Sequence, residues 1–141
     1  MEWDTPVLVF VNANPGCSAA RKLEVRLIDA LAPAEMEVYH QLRHFVFRVK
    51  ERIYDIRLVA VCIPDKEMLT LLEQVREDLC GLPLLFIAGD AAIAEGKRLY
   101  AFYPRIVLRM QQDDTACIEF IQTKMAAAAG GDQGERKPLK R

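Results

Sequence analysis

The sequence is short of the features that would tie it to a metal, a membrane or a nucleic acid. Its four cysteines, Cys17, Cys62, Cys80 and Cys117, form no C-x-x-C pair. That excludes zinc-ligand spacing and the dithiol redox motif. No apolar run reaches the ~20 residues that span a bilayer, and the start, Met1-Glu2-Trp3-Asp4, lacks a signal peptide's basic residues. Charge of one sign is also missing, since 19 basic and 20 acidic residues leave a net charge of -1. A general nucleic-acid binder needs a basic surface, so that class is excluded. With 52% hydrophobic residues, disorder of the whole chain is excluded as well. These absences point to a cytoplasmic protein with no cofactor, no nucleic acid and no membrane, whose thiols are buried or idle.

What is present is an alternation of apolar periods within 141 residues. A chain of that size makes one domain and hides roughly 70% of its unfolded surface without a metal or disulfide. Pro6 to Val11 is a Val-rich run ending in Asn12-Ala13-Asn14-Pro15-Gly16, a buried strand and its turn. From Ser18 the period becomes helical, with Ala20, Leu23, Leu27, Ile28 and Leu31 on one face and Pro33 as the stop. Met36 to His40 predicts a second strand, and Phe45, Val46, Val49 and Ile53 mark a helix over 42 to 53. Leu58 to Ile63 is continuously apolar, as expected of a strand covered on both faces.

Asp65 is placed to cap a third helix carrying Met68, Leu71, Leu72, Val75 and Leu79, which Gly81 closes. Leu82 to Ala88 predicts a fourth strand, residues 91 to 101 a weaker helix, and Arg105 to Met110 a fifth strand. Asp113, Asp114 and Thr115 open a last helix with Cys117, Ile118, Ile121 and Met125 inward. Five strand–helix alternations predict a doubly wound parallel sheet of the flavodoxin-like class, with five helices and strand order 2-1-3-4-5. From Ala126 the text turns Gly-rich and then basic, which reads as a flexible tail over 126 to 141 after a domain of 1 to 125. Residues 1 to 125 hold 15 basic and 18 acidic side chains, a net charge of -3.

In open sheets of this kind ligands sit beyond the carboxyl ends of the strands, so the residues after each apolar run matter most. There, YDIRLVAVCIPDKEMLTLL (Tyr54 to Leu72) resembles, without a gap, the stretch YDLVLLDIMMPDMDGLELL typical of bacterial response-regulator receiver domains. LVFVNANP (Leu8 to Pro15) is similar to their first strand, and LPLLFIAG (Leu82 to Gly89) to their fourth. The resemblance covers nearly all of residues 6 to 125. It implies a receiver fold and a site where two acidic residues and an aspartate hold Mg²⁺. The aspartate also takes up the phosphoryl group, and a Thr or Ser and a Lys read it out.

Carried over residue by residue, that set is nearly absent. The acidic pair falls on Asn12 and Ala13, the phosphoacceptor on Ala60, the Thr/Ser on Ala88 and the Lys on Arg109. Phosphorylation switches by adding negative charge that loops must neutralise, and no acceptor remains. The resemblance therefore implies a pseudo-receiver: no enzyme, no metal, and a phosphorylation-independent protein-interaction module in two-component-type signalling. Receivers pair through their fourth and fifth helices and fifth strand. In this chain that face would include Leu99, Tyr100, Phe102, Tyr103, Ile118, Phe120, Ile121 and Lys124, with Tyr100, Phe102, Tyr103, Ile118 and Ile121 as candidates for a homodimer or partner interface.

Two other classes stay open. The loop Asn12 to Ser18 precedes a helix start, where amides could hold a phosphate or other small ligand, although one glycine and a proline argue for Ser18 as a plain N-cap. Cys17 near the same helix start is a candidate reactive thiol, but Ala20 stands where a second cysteine would complete the pair. His40 and His44 stand four apart, yet the expected strand end falls between them, so they are not read as a metal pair.

Overall fold

The five expected strands pair as one sheet, and the three central runs, buried on both faces, can satisfy their backbone groups only against neighbouring strands. The computed structural model describes residues 6–14, 16–52, 55–110 and 114–130, with the side chains of 127–130 excepted. The strands are β1 (Val7–Val11), β2 (Met36–Tyr39), β3 (Ile56–Ile63), β4 (Leu84–Ala88) and β5 (Ile106–Arg109). All neighbours are parallel and the order is β2-β1-β3-β4-β5. This is the doubly wound, flavodoxin-like arrangement expected from the alternation. Its topological switch point lies between β1 and β3, where the chain first winds outward to β2 and then returns past β1.

Side-chain alternation along each strand divides the apolar residues into two cores. Leu8, Phe10, Leu58, Ala60, Cys62, Leu85 and Ile87 pack beneath α1 (Ser18–Ala30) and α7 (Asp114–Gly130). Val9, Val11, Val59, Val61, Ile63 and Phe86 pack on the other face, beneath α2 (Leu42–Glu51) and the helices between β3 and β5. Those helices are α3 (Lys66–Gln74), α4 (Arg76–Leu79), α5 (Ala91–Ala94) and α6 (Lys97–Tyr100).

Seven α-helices are therefore found among the described residues where five were expected, because two of the five are interrupted; a 3-10 turn over Pro33–Glu35 adds to them before β2. At Val75 the amide turns to the carbonyls of Leu72 and Glu73, and a new turn starts at Arg76. At Gly96, a poor helix former, the backbone is extended between α5 and α6. Two residues expected inward are exposed, Ile28 and Leu71. Each lies one residue, or about 100°, round the helix from the buried stripe; the inward positions go to Glu24 and Leu69. Cys17, not Ser18, is the N-cap of α1. The inward set on α7, Cys117, Ile118, Ile121 and Met125, is as expected. That helix runs on to Gly130, five residues past 125. Ile53, Asp113 and residues 131–141 lie outside the described residues.

At the amino edge of the sheet, Arg48 of α2 ties two strands together. Its Nε donates to Glu37 of β2 at 2.8 Å, and its Nη2 donates to both oxygens of Asp55 at 3.2 and 3.1 Å. Arg48 and Asp55 are both buried, so each supplies the charge that the other lost water to meet. Burial works against the Arg48 cation, but its hydrogen bonds to Glu37 and Asp55 prevail and raise its pKa.

Candidate functional site at the carboxyl edge of the sheet

The positions aligned with the receiver set do not meet at one level of the sheet. Ala60 lies within β3, three residues before its end, opposite Phe10 of β1 and Leu85 of β4. It is 0% exposed. Ala88 closes β4, opposite Ile63 and Arg109. Ala60 thus sits three rungs deeper than Ala88, about 10 Å along the strands. The odd offset also puts the two alanines in different cores, Ala60 under α1 and α7 and Ala88 on the opposite face. Arg109 is exposed at the end of β5, and Ala13 packs against the core of the α2 face.

Backbone fills the edge between β3 and β4. Gly89 N–H donates to the Ile63 carbonyl at 2.8 Å. A Cβ at Gly89 would lie 2.4 Å from the Pro64 carbonyl oxygen, so only glycine fits this approach. The nearby carboxylates are caps, as expected for Asp65. Asp65 accepts from Met68 N–H, and Asp90 from Ile93 N–H, both at 2.9 Å. Neither approaches a metal-ligand cluster, and no group of three such ligands occurs among the described residues.

One polar constellation does form at this edge, between β1 and β2. Asn12, immediately after β1, donates through Nδ2 to Glu24 Oε1 at 3.2 Å. His40, immediately after β2, places Nε2 3.0 Å from both oxygens of the same carboxylate. Glu24 is 6% exposed, whereas the His40 side chain is 52% exposed. The carboxylate is thus shared by an amide donor from beneath and an imidazole facing water. For Nε2 to donate, either the ring carries its proton there and leaves Nδ1 as an acceptor, or both nitrogens are protonated. Asn12 Oδ1 is buried and has no partner among the described residues. The sequence reading missed Glu24; its signal was a lone charge within the helical stripe Ala20, Leu23, Leu27.

The loop after β1 is closed on itself. Gly16 N–H donates to Asn14 Oδ1 at 3.1 Å, and Cys17 N–H to the Asn14 carbonyl at 3.0 Å. These bonds occupy two of the loop's amides, while the first turn of α1 has no side-chain cap. Cys17 Sγ lies 3.7 Å from Met110 Sδ, joining the loop to the end of β5. The buried thiols are held protonated: burial pushes Cys62 well above its ordinary pKa and Cys117 up to about 12. His44 lies on α2 and makes no shared contact with His40 among the described bonds.

Three of the five interface candidates are core residues. Phe102, Ile118 and Ile121 are buried; Phe102 packs edge-on against Phe86, with ring centroids 5.6 Å apart, and lies under the Arg76 guanidinium. Leu99 is buried with them. Tyr100 and Tyr103 are exposed, Tyr103 by 88% and with a left-handed φ of 56°. Among the described residues no helix is long and apolar enough to cross a membrane. Comparison with protein-family models, with curated proteins and with solved structures yields no match.

Proposed function

We propose that this chain is a pseudo-receiver: a non-enzymatic interaction module of cytoplasmic signal transduction that works without phosphorylation, on a flavodoxin-like sheet. The observation that carries the reading is Ala60. Where the receiver resemblance aligns the phosphoacceptor, a fully buried alanine stands inside β3, with Ala13 and Ala88 at two of the other aligned positions. A phosphoryl group there would have no nucleophile and no Mg²⁺ ligands. Asn12, aligned with one of the metal-binding acids, instead serves Glu24. Glu24 and His40 resemble the carboxylate–imidazole half of an acid–base site, but no hydroxyl or thiol among the described residues is hydrogen-bonded to His40. A positioning role for Glu24, locking α1 to the ends of β1 and β2, accounts for the cluster.

The partner is a protein, with a second copy of this chain as the first to test and the exposed Tyr100 and Tyr103 as the side chains to alter. The alternative, a phosphate held by the loop after β1, is less favoured because the Gly16 and Cys17 amides of that loop already serve Asn14. Native mass spectrometry of the protein with acetyl phosphate and Mg²⁺ tests the central point. An unchanged mass is expected; a stable gain of one phosphoryl group refutes it.

A further inference from the structure

At the opposite edge of the sheet, the β1–β3 ladder skips a residue. Val7 pairs with Ile56 and Leu8 with Leu58, so Arg57 opposes nothing. A bulge of this kind re-aims a side chain, and it is uncommon between parallel strands. Here its effect is chemical. Ile56 and Leu58 enter different cores, while the consecutive residues Arg57 and Leu58 line one cavity of about 240 Å³. The rest of its wall is Arg105 and Ile106 at the start of β5, and Phe120 and Lys124 on α7.

Three cations from three separate elements therefore share the cavity lining with the apolar side chains of Leu58, Ile106 and Phe120. No carboxylate among the described residues pairs with Arg57, Arg105 or Lys124, although Arg26, Arg48, Arg52 and Arg98 all have acidic partners. Lys124 Nζ is held 5.4 Å from the centre of the Phe120 ring, which fixes an ammonium at the rim without neutralising it. A cavity lined by apolar side chains and three cations without acidic partners among the described residues fits a small ligand carrying one multiply charged anionic group.

The geometry points to a binding site for a small organic phosphate. Its phosphoryl oxygens meet Arg57, Arg105 and Lys124, and its carbon part lies on Leu58, Ile106 and Phe120. The site is separate from the carboxyl edge and does not depend on the pseudo-receiver reading. Phosphate is favoured over a monocarboxylate because a dianion can use all three cations, with guanidinium forks meeting its oxygens in pairs.

The test is an amide chemical-shift titration of the full chain with phenyl phosphate and, separately, with inorganic phosphate. Phenyl phosphate is expected to give saturable shifts at Arg57, Leu58, Ile106 and Phe120, and to bind at least about tenfold more tightly than inorganic phosphate (about 1.4 kcal/mol). R57Q, R105Q and K124Q each alter an exposed side chain, so the fold is retained, and each is expected to weaken binding by about tenfold. Absence of saturable shifts, equal affinity for the two probes, or shifts unchanged in the three variants would overturn the assignment.

Discussion

Replacing Gly89 with alanine measures how tightly the carboxyl edge between β3 and β4 is closed. The added Cβ would stand 2.4 Å from the Pro64 carbonyl oxygen and 2.9 Å from two Pro64 backbone carbons. Ordinary contact begins at 3.4 Å, so about 1 Å must open. The obstructing atoms belong to backbone at a strand end and cannot swing aside as a side chain would. Overpacking of this kind costs about 1–3 kcal/mol. Separation also strains the 2.8 Å hydrogen bond from Gly89 N–H to Ile63, whose loss adds about 1 kcal/mol. The expected destabilisation is about 2–4 kcal/mol, or a Tm lower by about 10 °C for a domain of this size. Urea denaturation followed by circular dichroism should show a lower midpoint with an unchanged slope. Gly16→Ala is the control, since its Cβ meets only Asn14 Oδ1 at 3.4 Å, and it should fall within about 0.5 kcal/mol of the parent. A Gly89→Ala Tm within about 2 °C of the parent would refute the close approach and, with it, the closed edge.

Removing the carboxylate caps by Asp65→Ala or Asp90→Ala should each cost about 1 kcal/mol in denaturant unfolding, since each accepts one helix-start amide at 2.9 Å. Arg48→Met leaves buried Asp55 with only the more exposed Arg52, 3.1 Å away, and thermal unfolding should show a loss of about 2–3 kcal/mol. Alkylation of the native protein at neutral pH should modify exposed Cys80 first and spare Cys62 and Cys117, as peptide mapping can show. The Cys117 thiol is pushed up to about 12 in the folded state, from an ordinary value near 9, by burial and the Asp114 charge. Its contribution to stability is therefore complete below about pH 9 and lost as pH rises toward 12, where the unfolded chain ionises first. A Cys117→Ala variant should show a shallower loss of stability over that alkaline interval.

Strands and topology were legible because buried parallel strands write themselves as short continuous apolar runs, and the intervening helices carry clear caps or stops. Asp65 illustrates this: its position before a helical stripe sufficed, and its carboxylate accepts from Met68 as a cap must. The breaks at Val75 and Gly96 were harder to read, because the apolar stripe of α3 continues through Val75 into Leu79. Whether Phe102, Ile118 and Ile121 face a core or a partner is a tertiary property, since an apolar helix face reads the same against either. The Asn12–Glu24–His40 cluster joins three segments remote in sequence, and only the fold brings them within hydrogen-bond reach. The cavity around Arg57 depends on a one-residue slip in a ladder, for which an exposed arginine at the start of a strand carries no signal of its own.

The position of β1 within the sheet governs how the fold can be assembled. As the first of the strands it lies between β2 and β3, so its two edges are satisfied at different times. One edge needs a single crossover through α1, while the other waits for the chain to pass through β2 and α2 as well. The larger loop costs only modestly more entropy to close, but parallel pairing across such separations is slow. The face holding Phe10, Ala60 and Cys62 is shut later still, when α7 docks beside α1. A chain emerging from the ribosome therefore carries its most apolar strand unpaired on one edge until β3 is out, and half its core uncovered until the last helix is made. That interval is when chaperone capture and misassembly compete with folding.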